Sequence, residues 1–502
     1  MDNRRAIGKA VLLAFCWILS FAAMSVSLTD TEQFSFFMRV FIPVMLIFGY
    51  LFLWKIERVF FRWQLWIAAV IFAAAVTVGA SYGYAGTVEL VTNQKIKALV
   101  YFLGRVPAFY MGMVLVLEAM KKGKPLHKRY PAWAYAPVVF ICWLPYLLTV
   151  WPGSVSGDAA AGFSELFGAK ALSGGNTLLQ TGFIGLAAVI GQGIFQSADA
   201  AVALYALAQS LLMAWLLGST VAMTAECGAP KWLTLASLLF FALCPVFPLY
   251  AFAVSADTSF ALAALWLTLT IWRLVRGEKP ALKDVISLSV GAVLCVLLRG
   301  WGVWVAAVAL VVLLVWSLVK HSEIWRSVMY ALACAVCAFV ILQAALLPML
   351  KTMNVVETET IAAESETSFN YGYIMPGVLS EDEPAFVLGA AEEATDAFDY
   401  TVNPHAGSMK TVFDRLLSYA PFRILVAPGI YGWIALFALA VALTRKRWQT
   451  LLIMLVPLLA LAGCLASPIN GALGLALPVC FAAPVFLAAA AQATRQTDTN
   501  TL

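Results

Sequence analysis

The sequence contains few charged residues and few histidines, and both shortages limit what the protein can be. Charged residues make up 12% of the 502 residues, about half the share in soluble domains. Hydrophobic residues make up 63%, and apolar runs long enough to cross a bilayer recur along the chain. This composition excludes a soluble globular domain. With only three histidines in the chain, a histidine-rich metal site is also excluded, and we expect no metal ligands.

Cysteine adds little to the interpretation. None of the nine cysteines lies in the long polar stretch around residue 380, so no disulfide bond stabilises that stretch. Cys334 and Cys337 have the spacing of a redox or metal motif, but they lie within an apolar run, and packing is the favoured role. The net charge of +5 is explained by basic loops that face anionic lipid, so nucleic acid is not an expected partner.

Fourteen apolar segments predict an all-α, polytopic helical membrane bundle. The basic stretch from Met1 to Lys9 runs into the first segment without a small-residue cleavage site, which favours a retained span over a removed signal peptide. The predicted spans are roughly 7–28, 35–54, 64–84, 98–118, 132–150, 200–222, 232–252, 257–274, 284–299, 302–319, 327–348, 426–444, 449–466 and 472–491.

Basic residues predict the orientation of these spans. If all fourteen cross, both termini are cytoplasmic and 22 of the 32 Lys and Arg residues lie on the cytoplasmic side of a cell membrane. This orientation requires that the apolar segment 178–195 does not cross. Its glycines and its glutamine at position 192 favour a segment that is re-entrant or lies along the outer face.

The predicted spans divide the chain into four regions. Residues 1–130 form an N-terminal extension of four transmembrane helices, and residues 131–350 form a core with an outer loop at 151–199. Residues 351–425 form a long extracytoplasmic loop region, in which positions 351–424 contain twelve carboxylates and four basic residues. A loop of this length is usually functional. Residues 426–502 supply the last helices and a cytoplasmic tail.

Three charged residues at the predicted outer face are the leading candidates for chemistry. Asp158 ends the segment Trp151-Pro152-Gly153-Ser154-Val155-Ser156-Gly157-Asp158, Asp257 opens a span, and Arg299 lies in a glycine-rich hairpin. Ionisable residues beside a membrane are costly and are therefore functional candidates. Each also has a structural alternative, because either Asp can cap the following helix and Arg299 can extend to lipid head groups.

Other charged residues carry weaker expectations. Arg105 lies in the middle of the fourth span, where a structural pair with an acid is expected. His405, the single histidine on the predicted outer side, lies in an Asn-Pro-His-Ala-Gly stretch that is typical of a plain loop. The many acids of the long loop are expected to be mostly a solvated surface.

These features resemble GT-C-type glycosyltransferases. A span that ends in Trp143-Leu144-Pro145, followed by the segment ending at Asp158, is similar to the start of such enzymes, and the chain most resembles a bacterial branch of them. Further similar landmarks are Gln209, the stretch from Pro245 to Asp257, Leu298-Arg299-Gly300-Trp301-Gly302, the large outer loop, and Ser467-Pro468-Ile469-Asn470-Gly471. The resemblance covers roughly residues 130–490. It implies a catalytic Asp on the first outer loop, followed by helices that do not cross.

The chain also departs from the family pattern at three positions. Asn176-Thr177 stands where His-Pro is common, Ala256 stands where Lys precedes the second-loop Asp, and Gly474-Leu475 stands where Arg-Tyr is common. Three polar groups that would contact a sugar phosphate are therefore missing. Either the donor binds differently, through Arg299, Lys410 and Arg415, or the chain has lost transferase activity.

The resemblance implies transfer of a sugar from a polyprenyl-phosphate donor to a cell-envelope acceptor on the extracytoplasmic side. Asp158 would be the general base and Asp257 would assist it or hold an ion; a divalent metal requirement stays open. The candidate substrate-binding residues are Arg299, Glu165, Lys410, Arg415 and His405. The expected partners are membrane lipids, the lipid-linked donor and an envelope glycan or glycolipid. Two alternatives stay open: a catalytically inactive scaffold, and a transporter or lipid flippase.

Overall fold

The protein is a multi-pass membrane protein built almost entirely from α-helices. Its structure is a computed structural model, which describes residues 2–25, 36–56, 63–85, 87–155, 178–277, 280–346, 370–375, 378, 406–445, 448–467 and 469–495. Ten of the described helices are long and apolar enough to cross a membrane, and a bent pair gives an eleventh. The all-α polytopic fold is therefore confirmed, whereas the count of fourteen spans is not.

The N-terminal half begins with six helices and a short strand. They are α1 (Asp2–Ser25), α2 (Phe36–Trp54), α3 (Trp63–Ala85), α4 (Glu89–Asn93), α5 (Lys95–Lys122), α6 (Ala132–Thr149) and β1 (Ser154–Val155). The central region follows. It comprises α7 (Leu178–Phe195), α8 (Ala198–Glu226), α9 (Lys231–Leu243), α10 (Val246–Phe252), β2 (Ala253–Val254), α11 (Ala256–Arg276), α12 (Leu282–Leu298), α13 (Gly302–Val319) and α14 (Ile324–Ile341).

The last described region adds a few short elements and three long helices. After a π-helical turn (Leu342–Leu346) and a 3₁₀ turn (Tyr371–Tyr373) come α15 (Ala406–Leu417), α16 (Ala420–Val426), α17 (Gly429–Thr444), α18 (Trp448–Leu465) and α19 (Leu473–Arg495). The predicted long loop falls mostly outside the described residues.

The centre of the bundle is formed by α19 and α11. Within an apolar 18-residue window of each candidate span, 94% of the residues are buried for Leu473–Thr494 and 83% for Ala256–Arg276, against 17% for Ile324–Ala345. The many alanines of α19 explain its position, because small side chains let neighbouring helices approach closely inside a membrane. Helix α14 therefore lies at the periphery, and its Cys334 and Cys337 are exposed. The prediction that these cysteines pack inside the protein is wrong.

The predicted span 232–252 is broken. Helices α9 and α10 meet at an angle of 51°. Proline at position 245 explains the break, because a proline ring disfavours helical geometry in the residue before it. Cys244 is accordingly extended, with φ −70° and ψ 118°. The break places α10 and β2 beside the start of α11.

Segment 178–195 forms one continuous helix, α7. Its glycines do not interrupt α7, which turns through Gln196 and Ser197 directly into α8. Gly191 explains part of this packing, since a Cβ atom there would lie 2.5 Å from Ala201 at the start of α8. The glycine thus serves close helix contact, which is a common use of small residues in membrane bundles.

Two short strands join the segment after α6 to the centre of the protein. Strands β1 and β2 are parallel, with Ser154 opposite Ala253 and Val155 opposite Val254. The approach requires Gly153, which has a φ of +147°. A Cβ atom at this position would also lie 3.0 Å from the carbonyl oxygen of Phe252. Glycine is the residue that tolerates both constraints.

We expect Gly153→Ala to destabilise the protein. The substitution forces a side chain into a positive-φ conformation and against a carbonyl oxygen, which costs about 1–3 kcal/mol. The unfolding temperature in detergent measures the effect. Gly193→Ala is the matched control, since nothing lies within 4 Å of its added Cβ. Equal unfolding temperatures for the two variants would contradict the requirement for glycine.

Candidate functional site

Asp257 lies in the first turn of α11 but does not cap it. The cap is Ser255, whose hydroxyl accepts a hydrogen bond of 3.2 Å from the backbone N–H of Asp257. The capping alternative for Asp257 is therefore wrong. A carboxylate in the first turn interacts favourably with the positive end of the helix dipole. The Asp257 side chain is only 8% exposed, so its charge must be balanced inside the protein.

Arg299 supplies that balancing charge. It follows the last residue of α12 in an extended conformation, and its Nη2 forms an ion pair with Oδ1 of Asp257. The Arg299 side chain is 18% exposed, and its guanidinium lies 5.6 Å from the ring centroid of Trp301. Its other terminal nitrogen, Nη1, is buried and makes no hydrogen bond among the described residues. Arg299 thus has a donor left for a further group.

Two glycines leave room for this pair. A Cβ atom on Gly474, at the start of α19, would lie 2.5 Å from Oδ2 of Asp257. A Cβ atom on Gly302 would overlap the carbonyl oxygen of Cys295 in the preceding helix. The first glycine therefore gives space to the carboxylate, and the second allows the tight connection that positions Arg299.

Residues 370–373 are bound against the turn between α18 and α19. The side-chain N–H of Asn370 donates to the carbonyls of Leu465 and Ser467. The backbone N–H of Gly372 donates to Oδ1 of Asn470 over 2.8 Å, and the Tyr373 hydroxyl donates to the carbonyl of Ile469 over 2.9 Å. Residues 370–373 are therefore held by hydrogen bonds at the turn before α19, and the start of α19 contacts Asp257 of the ion pair.

The charges of Asp257 and Arg299 both act on the hydroxyl group of Tyr373. Burial raises the pKa of its hydroxyl, and the negative charge of Asp257 raises it further, while Arg299 acts in the opposite direction. Its hydroxyl therefore stays protonated near neutral pH and remains a hydrogen-bond donor. The segment around it also contacts the N-terminal helices, since Tyr371 stacks on Tyr82 of α3 with ring centroids 5.9 Å apart.

Gln209 of α8 holds the backbone that leads to Asp257. Its Nε2 donates to the carbonyls of Tyr250, Ala251 and Ala253 at 2.8–3.1 Å. These carbonyls belong to α10 and β2, and those of Tyr250 and Ala251 lack helical partners because α10 ends at Phe252. The side chain is buried. Gln209 therefore fixes the geometry of the segment before Asp257.

An apolar cavity of about 380 Å³ lies between α7, α8, α11 and α12, and neither Asp257 nor Arg299 is among its lining residues. Most of its walls are aliphatic or aromatic, including Phe183, Leu204, Leu262 and Leu298. Leu298 immediately precedes Arg299 in the chain. Its size is within the usual range for ligand pockets, and its lining suits a hydrocarbon chain.

One wall of this cavity carries a short chain of polar groups. Nε2 of Gln180 donates to the Tyr205 hydroxyl over 2.8 Å, and that hydroxyl lies 3.0 Å from the hydroxyl of Ser259. Ser259 is two residues beyond Asp257 in α11. The cavity is thus mostly apolar, and Tyr205 and Ser259 place polar groups in one part of its wall.

The other predicted site residues are not brought to this pair by the described structure. Asp158, Glu165 and His405 lie outside the described residues. Lys410 belongs to α15, but its side chain is not described; Arg415 of the same helix is exposed. Arg105, for which an acidic partner was predicted, lies with its guanidinium 3.7 Å from the ring centroid of Tyr101.

Sequence reasoning missed Tyr373 and the space at Gly474. An Asn-Tyr-Gly-Tyr cluster in an otherwise acidic loop is a feature that could have identified Tyr373. The role of Gly474 has no counterpart in sequence, because it depends on a contact with a residue more than two hundred positions away. Within the described part of the chain, no three His, Cys, Asp or Glu side chains are close enough to hold a metal ion.

Comparison with known proteins assigns the chain to a family. A model described as "Family of unknown function (DUF6020)" matches residues 168–366 and 401–501. The chain belongs to this family. The match includes Asp257, Arg299 and Gly474, whereas helices α1 to α6 lie outside it. No curated protein and no solved structure matches the chain.

We expect Arg299→Gln to destabilise the protein more than the double variant Asp257→Asn, Arg299→Gln. Removing one partner of a buried ion pair leaves an uncompensated charge, which costs about 3–5 kcal/mol when burial is complete and less at the partial exposure of Arg299. Removing both charges relieves that cost. The unfolding temperatures of the two single variants and the double variant measure this coupling, and strictly additive effects would show that the pair is not coupled.

Proposed function

We propose that the protein is a GT-C-like glycosyltransferase that moves a sugar from a polyprenyl-phosphate-linked donor to a cell-envelope acceptor. The observation that carries this proposal is an apolar cavity whose wall includes Leu298, the residue directly before Arg299 of the buried ion pair. A polyprenyl-phosphate sugar is likewise a hydrocarbon chain joined to an anionic group. The site and its substrate would lie on the extracytoplasmic face of the cell membrane, with both termini in the cytoplasm.

Arg299 would hold the phosphate of the donor. Its Nη1 is buried and makes no hydrogen bond to the described residues, and a guanidinium binds phosphate through charge-assisted hydrogen bonds. The isoprenoid chain would occupy the cavity beside Leu298. Lys410, Arg415, Glu165 and His405 would contribute from the outer loops to contacts with the phosphate and the sugar.

Asp158 would act as the general base. The acceptor hydroxyl attacks the anomeric carbon, its proton passes to the Asp158 carboxylate, and the bond from the anomeric carbon to the phosphate oxygen breaks with its electrons on the leaving phosphate. A direct displacement of this kind inverts the anomeric centre. Charge stabilisation of the leaving phosphate by Arg299 would supply much of the rate enhancement. Asp257 holds Arg299 in place for that role.

A second candidate function, an inactive membrane scaffold, is favoured by the same ion pair. Asp257 and Arg299 compensate each other's charge, and such a pair is stable without any ligand. The chain departs from the GT-C pattern at three positions, Asn176-Thr177, Ala256 and Gly474-Leu475. These departures also fit a chain that has lost transfer activity. Measuring transfer with the wild-type protein distinguishes the two functions.

We expect Asp158→Asn to abolish sugar transfer from a radiolabelled polyprenyl-phosphate sugar. Loss of a general base lowers rates by about 10²–10⁴-fold, while folding and membrane insertion stay unchanged. Asp199→Asn is the matched control, because Asp199 is an acid in the first turn of α8 on the same predicted side. Retained turnover in Asp158→Asn would remove this residue from the mechanism. A folded wild-type protein that shows no transfer favours the scaffold.

We also expect Ala208→Phe to weaken donor use by filling the cavity. Ala208 lines the cavity and carries no charge, so a ring there competes with the hydrocarbon chain of the donor and raises its KM. Leu211→Phe is the control, because Leu211 is 54% exposed on the same helix and is not among the residues that line the cavity. An equal KM in the two variants would show that the cavity does not hold the donor.

A further inference from the structure

A second pocket, which we call the inner pocket, lies at the opposite end of α8 and α11 from Asp257. It has a volume of about 250 Å³, and its characteristic lining residues are Trp215, Ser219, Glu226, Trp266, Trp272 and Arg273. Along both α8 and α11, the residues that line the inner pocket come after those that line the first cavity, and Trp266 lines both. Both cavities therefore belong to one groove between α8 and α11.

The inner pocket lies at the far interface of the membrane. Asp257 and Arg273 are near the two ends of α11, which has 21 residues and is therefore about 30 Å long at 1.5 Å per residue. This length matches the hydrocarbon thickness of a bilayer, also about 30 Å. Since the basic clusters predict the Arg273 end to be cytoplasmic, the inner pocket faces the inner leaflet.

Tryptophan rings separate the two halves of the groove. Trp266 lines both cavities, and its ring meets that of Trp215 edge-on, with centroids 6.3 Å apart. The region above these rings is almost entirely apolar, so a polar head group has no favourable path through it. A lipid in the inner pocket is therefore distinct from one in the outer cavity.

Arg273 is held in position at the opening of the inner pocket. Its Nη2 donates to the hydroxyls of Thr270 and Ser287, over 3.3 Å in each case. Ser287 in turn accepts a hydrogen bond of 2.8 Å from Nε1 of Trp266. Both bonds are made by Nη2, one terminal nitrogen of the guanidinium. They restrict the orientation of the side chain, which reduces the entropy cost of binding an anion.

The charge around the opening is positive. Arg276 lies beside Arg273, with its guanidinium 5.3 Å from the ring centroid of Trp272, while Glu226 is the single carboxylate in the lining. The lining itself holds one guanidinium, Arg273, and one carboxylate, Glu226. Arg276 is outside the lining and adds a second guanidinium one turn further along α11, and this added positive charge favours an anionic head group over a zwitterionic one. Tryptophan and arginine together are typical of residues that contact lipid at a membrane interface.

We propose that the inner pocket binds one phospholipid with an anionic head group from the inner leaflet. Its phosphate contacts Arg273, and one acyl chain lies between α8 and α11 as far as Trp266. The proposal does not depend on the transferase function, because the pocket is separate from the Asp257–Arg299 pair. The bound lipid would fill the space between two helices that support the outer site.

Native mass spectrometry of the purified full-length protein tests this site. The protein in detergent is titrated with phosphatidylglycerol and, separately, with phosphatidylcholine that has the same acyl chains. We expect one tightly bound phosphatidylglycerol, with an apparent Kd about tenfold weaker in Arg273→Gln, since loss of one charge-assisted hydrogen bond costs about 1.4 kcal/mol or more. Lys320→Gln, which removes an exposed charge on the same predicted side, should bind like the wild type.

A second variant keeps every charge. Ser219→Leu places a larger apolar side chain in the pocket lining and should also reduce bound phosphatidylglycerol, with an unchanged unfolding temperature in lipid-free detergent. Equal weakening by Arg273→Gln and Lys320→Gln would overturn the proposal, because binding would then follow net charge alone. Equal affinity for phosphatidylcholine would overturn it as well, and so would unchanged binding in Ser219→Leu.

Discussion

The buried pair of Asp257 and Arg299 is the interaction on which the arrangement of one end of the bundle depends. Neither charge is tolerable alone at this depth, so the first turn of α11 and the end of α12 must stay together. The residues around the pair follow from this requirement. Gly474 leaves space for the carboxylate, Gly302 permits the tight turn after Arg299, and Tyr373 closes the bundle above them.

The end of the bundle that holds this pair is assembled from segments far apart in the chain. Pairing of β1 with β2 brings the segment after α6 beside the residues that precede Asp257, and Gln209 fixes the carbonyls between them. The N-terminal helices join the same assembly through the stacked rings of Phe72 and Trp433, 4.7 Å apart. Helices outside the family match therefore pack directly against helices inside it.

The groove between α8 and α11 contains both cavities and continues along α11 as far as Arg273. One half is apolar and includes Leu298 in its wall, and the other half is rich in tryptophan and opens beside Arg273. Cations at the two ends and tryptophan rings in the middle give each half the form of an amphiphile-binding site. Because these helices contribute to the pocket walls at both interfaces, lipid occupancy of the inner half would also affect the packing behind the outer site.

The sequence by itself determined the all-α membrane class and the location of Asp257 and Arg299 near helix ends, because crossing a bilayer depends on the hydrophobicity of about 20 consecutive residues. It also predicted Pro245 to Asp257 as a distinctive stretch. Only the tertiary structure decided that the two charges pair, that Ser255 rather than Asp257 caps α11, and that α7 is unbroken. These outcomes depend on contacts between distant segments, and no local pattern of residues encodes which segments will meet.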